Sequence, residues 1–181
     1  MAGSKTNQMV DVIANEIFAE GLSTFAVLDG ASIHGLRKLL HEAKPKHECL
    51  YLWALSDDMA DAAPYLVQLE QESPFTQTVL ERGWGKHWGI FAMSETGIRD
   101  LRQHFRRYLT VYAPDGKPLL FRYYDPRVLR AYLPTCNPEE IGKLFGPVKA
   151  FFAEAEKPAA LLRFEQHAGQ LVQRQRDLEA K

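Results

Sequence analysis

The stretch from Gly83 to Met93, GWGKHWGIFAM, places a glycine-rich turn directly before an apolar run. The run HWGIFAM, residues 87–93, predicts a β-strand. A helix precedes the turn, since Ser73-Pro74 has the cap-then-proline form of a helix start. We expect Trp84 and Trp88 to pack on the core that this strand helps to build.

Outward from this stretch, helices and strands alternate toward the N-terminus. TFAVL at residues 24–28 and ECLYLWAL at residues 48–55 predict two further strands. Apolar residues at helical spacing predict a helix over Gln8–Ala19 and another that begins near Ser32. The fold class is therefore α/β, with a mixed β-sheet flanked by helices.

The second half of the chain predicts a β-hairpin. LTVYA at residues 109–113 and PLLFRYY at residues 118–124 are joined by a turn that contains Asp115-Gly116. AFFAEA and AALLRFE predict late strands, and residues 165–181 predict a short, polar C-terminal helix.

Length and composition indicate one globular domain over residues 1–181. The chain is 46% hydrophobic and 25% charged, with a net charge of −1, which argues against nonspecific nucleic-acid or membrane binding. Cys49 and Cys136 are too few for a disulfide framework, and no long apolar run or signal-peptide pattern is present. We therefore expect a cytoplasmic protein with reduced thiols.

Charge is unevenly spread along the sequence. Residues 54–81 carry six acids and no Lys or Arg, whereas residues 99–130 carry eight bases and three acids, a net charge of +5. Such segments form solvated faces of opposite sign, or surfaces that meet different partners.

Several sites are weighed against ordinary structural roles. The six histidines lack His-x-His or His-Glu-x-x-His spacing, so a metal site is not expected, and no cofactor motif is present. A triad of Cys136, His87 and Asp125 can be drawn, but any chain with six histidines permits such a drawing. An enzyme that binds a small anion through Arg122, Arg127, Lys86 and His87 is an alternative. Another alternative is a nucleic-acid platform, built from Arg99, Arg102, Arg106 and Arg107 with the aromatic residues Tyr108, Phe121, Tyr123 and Tyr124.

The segment FRYYDPRVLRAYLPTC, residues 121–136, favours a structural clasp. Asp125 is placed as an N-cap, with Pro126 as the first helical residue, and its free carboxylate oxygen can pair with an arginine.

GWGKHWGIF and FRYYDPRVLRAYLPTC together resemble a bacterial family of domains of unknown function whose members are type VI secretion adaptors, or effector chaperones. AVLDGA at residues 26–31, APYLVQLE at residues 63–70 and GPV at residues 146–148 fit the same family. The resemblance covers roughly residues 25–164. Longer members of the family add a C-terminal helical lobe, whereas about fifteen residues follow the last predicted strand here.

The resemblance implies a cytoplasmic, non-enzymatic protein that binds a toxic effector and loads it onto the spike protein of the secretion apparatus. Residues expected at partner contacts are Trp84, Lys86, His87, Arg99, Arg102, Arg106, Arg122, Tyr124, Arg127 and Arg130. Residues expected to be structural are Gly83, Gly85, Trp88, Gly89, Asp125 and Pro126.

Overall fold

A computed structural model describes residues 2–52 and 54–178, which form nine strands and seven α-helices. The strands are β1 (Ser23–Asp29), β2 (His47–Cys49), β3 (Pro64–Leu69), β4 (Gly89–Ser94), β5 (Thr110–Tyr112), β6 (Pro118–Leu120), β7 (Val148–Glu154), β8 (Ala160–His167) and β9 (Gln170–Asp177). The helices are α1 (Ala2–Ile17), α2 (Leu36–Ala43), α3 (Asp57–Ala62), α4 (Pro74–Gly83), α5 (Ile98–Arg106), α6 (Pro126–Tyr132) and α7 (Pro138–Phe145).

Seven strands form one sheet in the order β2-β3-β1-β4-β7-β8-β9, and every pairing in it is antiparallel. The three central strands are β1, β4 and β7, with Phe25 opposite Ala92 and Ala92 opposite Phe151. The α/β class, with helices flanking a sheet, is as the sequence predicts.

Helices cover both faces of the sheet because its central strands are apolar on both sides. Ala26 and Leu28 of β1 pack with α1, α2 and α4, while Phe25 and Val27 pack with α5, α6 and α7. Successive side chains of a strand point to opposite faces, so this one strand contributes to two separate cores.

The predicted C-terminal helix is wrong. Residues 170–177 form β9, which pairs with β8 through a turn at Ala168 and Gly169, both with positive φ. Residues 179–181 lie outside the described part of the chain. Pairing with the sheet edge decides the conformation here, because the polar, helix-favouring residues of this segment carry only a weak local preference.

Two predicted strands are shorter than expected. Of residues 48–55, only Glu48 and Cys49 belong to a strand, β2, and Trp53 lies outside the described residues. The hairpin forms at the predicted place, but β6 ends at Leu120, and residues 121–124 are irregular and end in a turn at 123–124.

The β5–β6 hairpin forms its own two-stranded sheet, which we call the arm (residues 110–120). All six strand residues of the arm are exposed. The arm therefore stands clear of both cores.

Candidate functional site

The ends of the three central strands lie side by side at one end of the sheet. Because β4 runs antiparallel to both β1 and β7, its first residues lie beside the last residues of those strands. The backbone N–H of Asp29, at the end of β1, donates to the carbonyl of Trp88 at 2.8 Å. Glu154, the last residue of β7, lies at the same end of the sheet.

Asp29 places a carboxylate with no exposed surface at this end of the sheet. Its oxygens accept from the N–H of Ala31 at 3.1 Å, from the Ser32 hydroxyl at 2.8 Å and from the guanidinium of Arg122. Arg122 lies 93 residues away in sequence and keeps about a third of its side chain exposed. The pair therefore ties the turn after the arm to the end of β1.

Glu154 places a second buried carboxylate there, against the glycine-rich turn. It accepts from the backbone N–H of Gly85 at 2.5 Å and of His87 at 3.2 Å, and from Nδ1–H of the His87 ring. Gly85 and His87 both have positive φ, and the N–H groups of these two residues point toward one carboxylate, as in an anion-binding nest. The anion in this nest is the protein's own carboxylate.

Asp125 is the third buried carboxylate, and it caps α6 with Pro126 as the first helical residue, as predicted. It accepts from the backbone N–H of Arg127 at 2.9 Å and from its guanidinium at 3.0 and 2.7 Å. Burial raises the pKa of Asp125, but the Arg127 bonds outweigh burial and hold that pKa below its usual value.

We call these six residues the sheet-end clasp: Asp29, Asp125, Glu154, Arg122, Arg127 and His87. The three pairs lie close enough for their charges to act on one another. The pKa of Arg127 is raised first by its bond to Asp125 and then by the charges of Glu154 and Asp29. Arg130 extends the group, since its guanidinium donates to the Glu154 carbonyl at 2.7 Å.

The clasp involves three of the groups on which the alternative of a small-anion enzyme depends. Of the four cationic or titratable groups that this alternative requires, Arg122, Arg127 and His87 are engaged by the protein's own carboxylates, and Lys86 is exposed. The residues of the cysteine triad all have other partners: the Cys136 thiol donates to the Tyr132 carbonyl at 3.5 Å, His87 is bound to Glu154, and Asp125 is bound to Arg127.

The tryptophans and glycines of GWGKHWG fix the same turn. Trp84 and Trp88 are half-buried and pack on the core, and the Trp84 indole N–H donates to the Pro158 carbonyl at 2.7 Å. Gly83 lies under the Trp88 ring. A Cβ at Gly89 would collide with the backbone carbonyl of Val27, so this position requires glycine.

Arginines of α5 form a separate group. Arg102 donates to the carbonyls of Cys49 at 2.7 Å and Tyr51 at 3.2 Å, which anchors α5 to the end of β2. Arg99 is exposed and Arg106 is half-buried, and among the described residues neither has a carboxylate within 4.0 Å. These two remain available to a partner, whereas Arg102 has a structural role.

Tyr124, expected at a partner contact, is instead buried. Tyr124 is 1% exposed and Tyr123 is fully buried, because the turn at residues 123–124 folds both rings into the core. Phe121 is half-buried against Tyr132, with ring centroids 4.7 Å apart. The aromatic half of a nucleic-acid platform is therefore part of the core.

Sequence reasoning missed the roles of Asp29 and Glu154. The available signal was an acidic residue at the end of each of two strongly apolar strands, AVLD and AFFAE, where a buried carboxylate requires a partner. In the described part of the chain, no group of three or more His, Cys, Asp or Glu could hold a metal ion, and no helix is long and apolar enough to cross a membrane.

Comparison with known proteins identifies a family. The model of the family described as Domain of unknown function (DUF4123) matches residues 24–143, more than half of the chain. No curated protein and no solved structure matches this sequence. The match contains Asp29, the glycine-rich turn and the FRYYDPR segment, so three of the parts that meet at the clasp lie within it. The chain belongs to the family of domains of unknown function DUF4123.

Proposed function

We propose that this protein is a cytoplasmic adaptor that binds a type VI secretion effector and loads it onto the spike protein of the secretion apparatus. The observation that carries the proposal is the family match, since residues 24–143 contain the two motifs on which the resemblance to such adaptors rests. A loading factor requires surfaces for two partners and no reaction centre.

Charge distribution supports contact with two different partners. Asp58 of α3 is exposed in the acidic segment, where the neighbouring Asp57 is paired with Arg37 at 3.2 Å, whereas Arg99 and Arg106 belong to the basic segment. Exposed groups of opposite charge favour partners of complementary charge and disfavour exchange between them. The clasp supports the proposal in another way, because its cations are paired with the protein's own buried carboxylates and hold the fold together.

Pull-down of the full chain with the effector encoded beside its gene, and separately with a spike protein, tests the proposal. We expect the chain to retain both proteins and to dissociate from the effector after transfer to the spike. If the chain retains neither the effector nor the spike protein, the adaptor function is overturned.

A further inference from the structure

The arm exposes apolar side chains on both of its faces. Exposed fractions are 40% for Val111, 73% for Tyr112, 51% for Leu119 and 54% for Leu120. Directly opposed residues share a face, so Tyr112 and Leu120 lie on one face and Val111 and Leu119 on the other. Exposed apolar side chains grouped in this way indicate an interaction site.

The two edges of the arm differ in what they offer to another strand. Bonds from Phe121 N–H to the Leu109 carbonyl and from Ala113 N–H to the Lys117 carbonyl fix which groups point inward. By the alternation of an antiparallel ladder, Thr110 and Tyr112 turn their N–H and C=O groups away from β6. Among the described residues, neither of these amides has another acceptor.

The opposite edge is blunted. The outward positions of β6 are Pro118 and Leu120, and Pro118 has no N–H to donate. Proline on an edge strand is a common protection against pairing with another chain. Only the β5 edge therefore presents an unprotected pair of donors and acceptors.

The root of the arm is basic and firmly held. Arg106 and Arg107 precede the arm, and among the described residues neither has a carboxylate within 4.0 Å. Phe121, which follows the arm, packs on the core, and Arg122 is bound to Asp29 in the clasp. A fixed root keeps the β5 edge in one place and leaves positive charge beside it.

We propose that the β5 edge accepts an extended segment of the effector as an added strand, with apolar residues that cover Tyr112 and Leu120 and acidic residues that meet Arg106 and Arg107. This proposal rests on the adaptor function and assigns its contact surface. In this recognition mode the backbone bonds supply affinity, and alternate side chains supply specificity.

The experiment compares the full chain alone and with the effector encoded beside its gene, by residue-resolved amide hydrogen exchange and by titration calorimetry. We expect the amides of Thr110 and Tyr112 to gain protection in the complex, and the amide of Leu120, on the other edge, to stay unprotected. The double variant Tyr112→Ser/Leu120→Ser should bind the effector about tenfold more weakly or worse.

Leu52→Ser is the matched control, because Leu52 is 61% exposed and lies outside the arm. It should bind within about twofold of the wild type, and both variants should melt near the wild-type temperature because exposed side chains contribute little to stability. Arg107→Glu should slow association and weaken its dependence on salt.

Each other outcome decides against the proposal in a distinguishable way. If the wild type binds the effector and the double variant binds equally well, the arm is not the contact surface, and the adaptor function stands. If the wild type binds neither effector nor spike protein, the adaptor function is wrong, and so is the proposal that a segment of the effector binds the β5 edge. If the arm instead pairs two copies of this chain, the double variant will shift a wild-type dimer to a monomer in size-exclusion chromatography, which also overturns the proposal.

Discussion

Replacing Glu154 with alanine tests whether the carboxylate holds the glycine-rich turn. Glu154 is 4% exposed and accepts the backbone N–H groups of Gly85 and His87. Its removal leaves two donors without an acceptor, at about 1–3 kcal/mol each. Since both residues are half-buried, water can reach part of the turn, and we expect the free energy of unfolding to fall by about 2–4 kcal/mol.

Urea unfolding followed by tryptophan fluorescence measures this change, because Trp84 and Trp88 flank the donors. Glu156→Ala is the matched control: Glu156 is exposed two residues further along, and among the described residues it has no cationic side chain within 4.0 Å. The control should change stability by less than about 0.5 kcal/mol. If Glu154→Ala matches the control, the turn is held by other contacts and the reasoning about the nest is refuted.

Three further substitutions test the fold around the clasp by the same unfolding assay. Gly89→Ala should cost about 2–4 kcal/mol, because its Cβ would displace the backbone of Val27; a stable variant would show that the strands can separate. Asp125→Ala should cost about 1–2 kcal/mol through loss of the α6 cap, and unchanged stability with lost partner binding would make it a contact residue. Burial lowers the pKa of His104, so as the pH falls the unfolded chain binds a proton at this imidazole before the folded chain does, and the free energy of unfolding should fall below pH 6.5. The variant His104→Gln should lack that part of the pH dependence. If the wild type and the variant have the same dependence of stability on pH, His104 is not its source.

Local chemistry predicts the parts of this fold that depend on neighbours in sequence. The Asp125-Pro126 cap, the Ser73-Pro74 start of α4 and the hairpin turn at Asp115-Gly116 all form where the sequence places them. Each depends on the conformational preferences of two or three adjacent residues, which are visible in the sequence.

Long-range partners decide the rest. Residues 170–177 become a strand because β8 offers an open edge, and residues 121–124 leave the strand because two tyrosines enter the core. The clasp joins Arg122 to Asp29 and His87 to Glu154 across 93 and 67 residues, and only the strand order brings these groups together. A carboxylate at a strand end indicates that a partner is needed, but it does not indicate which cation will meet it.

The most direct test of the proposed adaptor function is the amount of the adjacently encoded effector in the culture supernatant of cells with and without this gene. We expect loss of the gene to abolish secretion of that effector while other type VI substrates are secreted normally, and we expect this chain itself to stay in the cell fraction. Undiminished secretion of the effector without this gene would contradict the account.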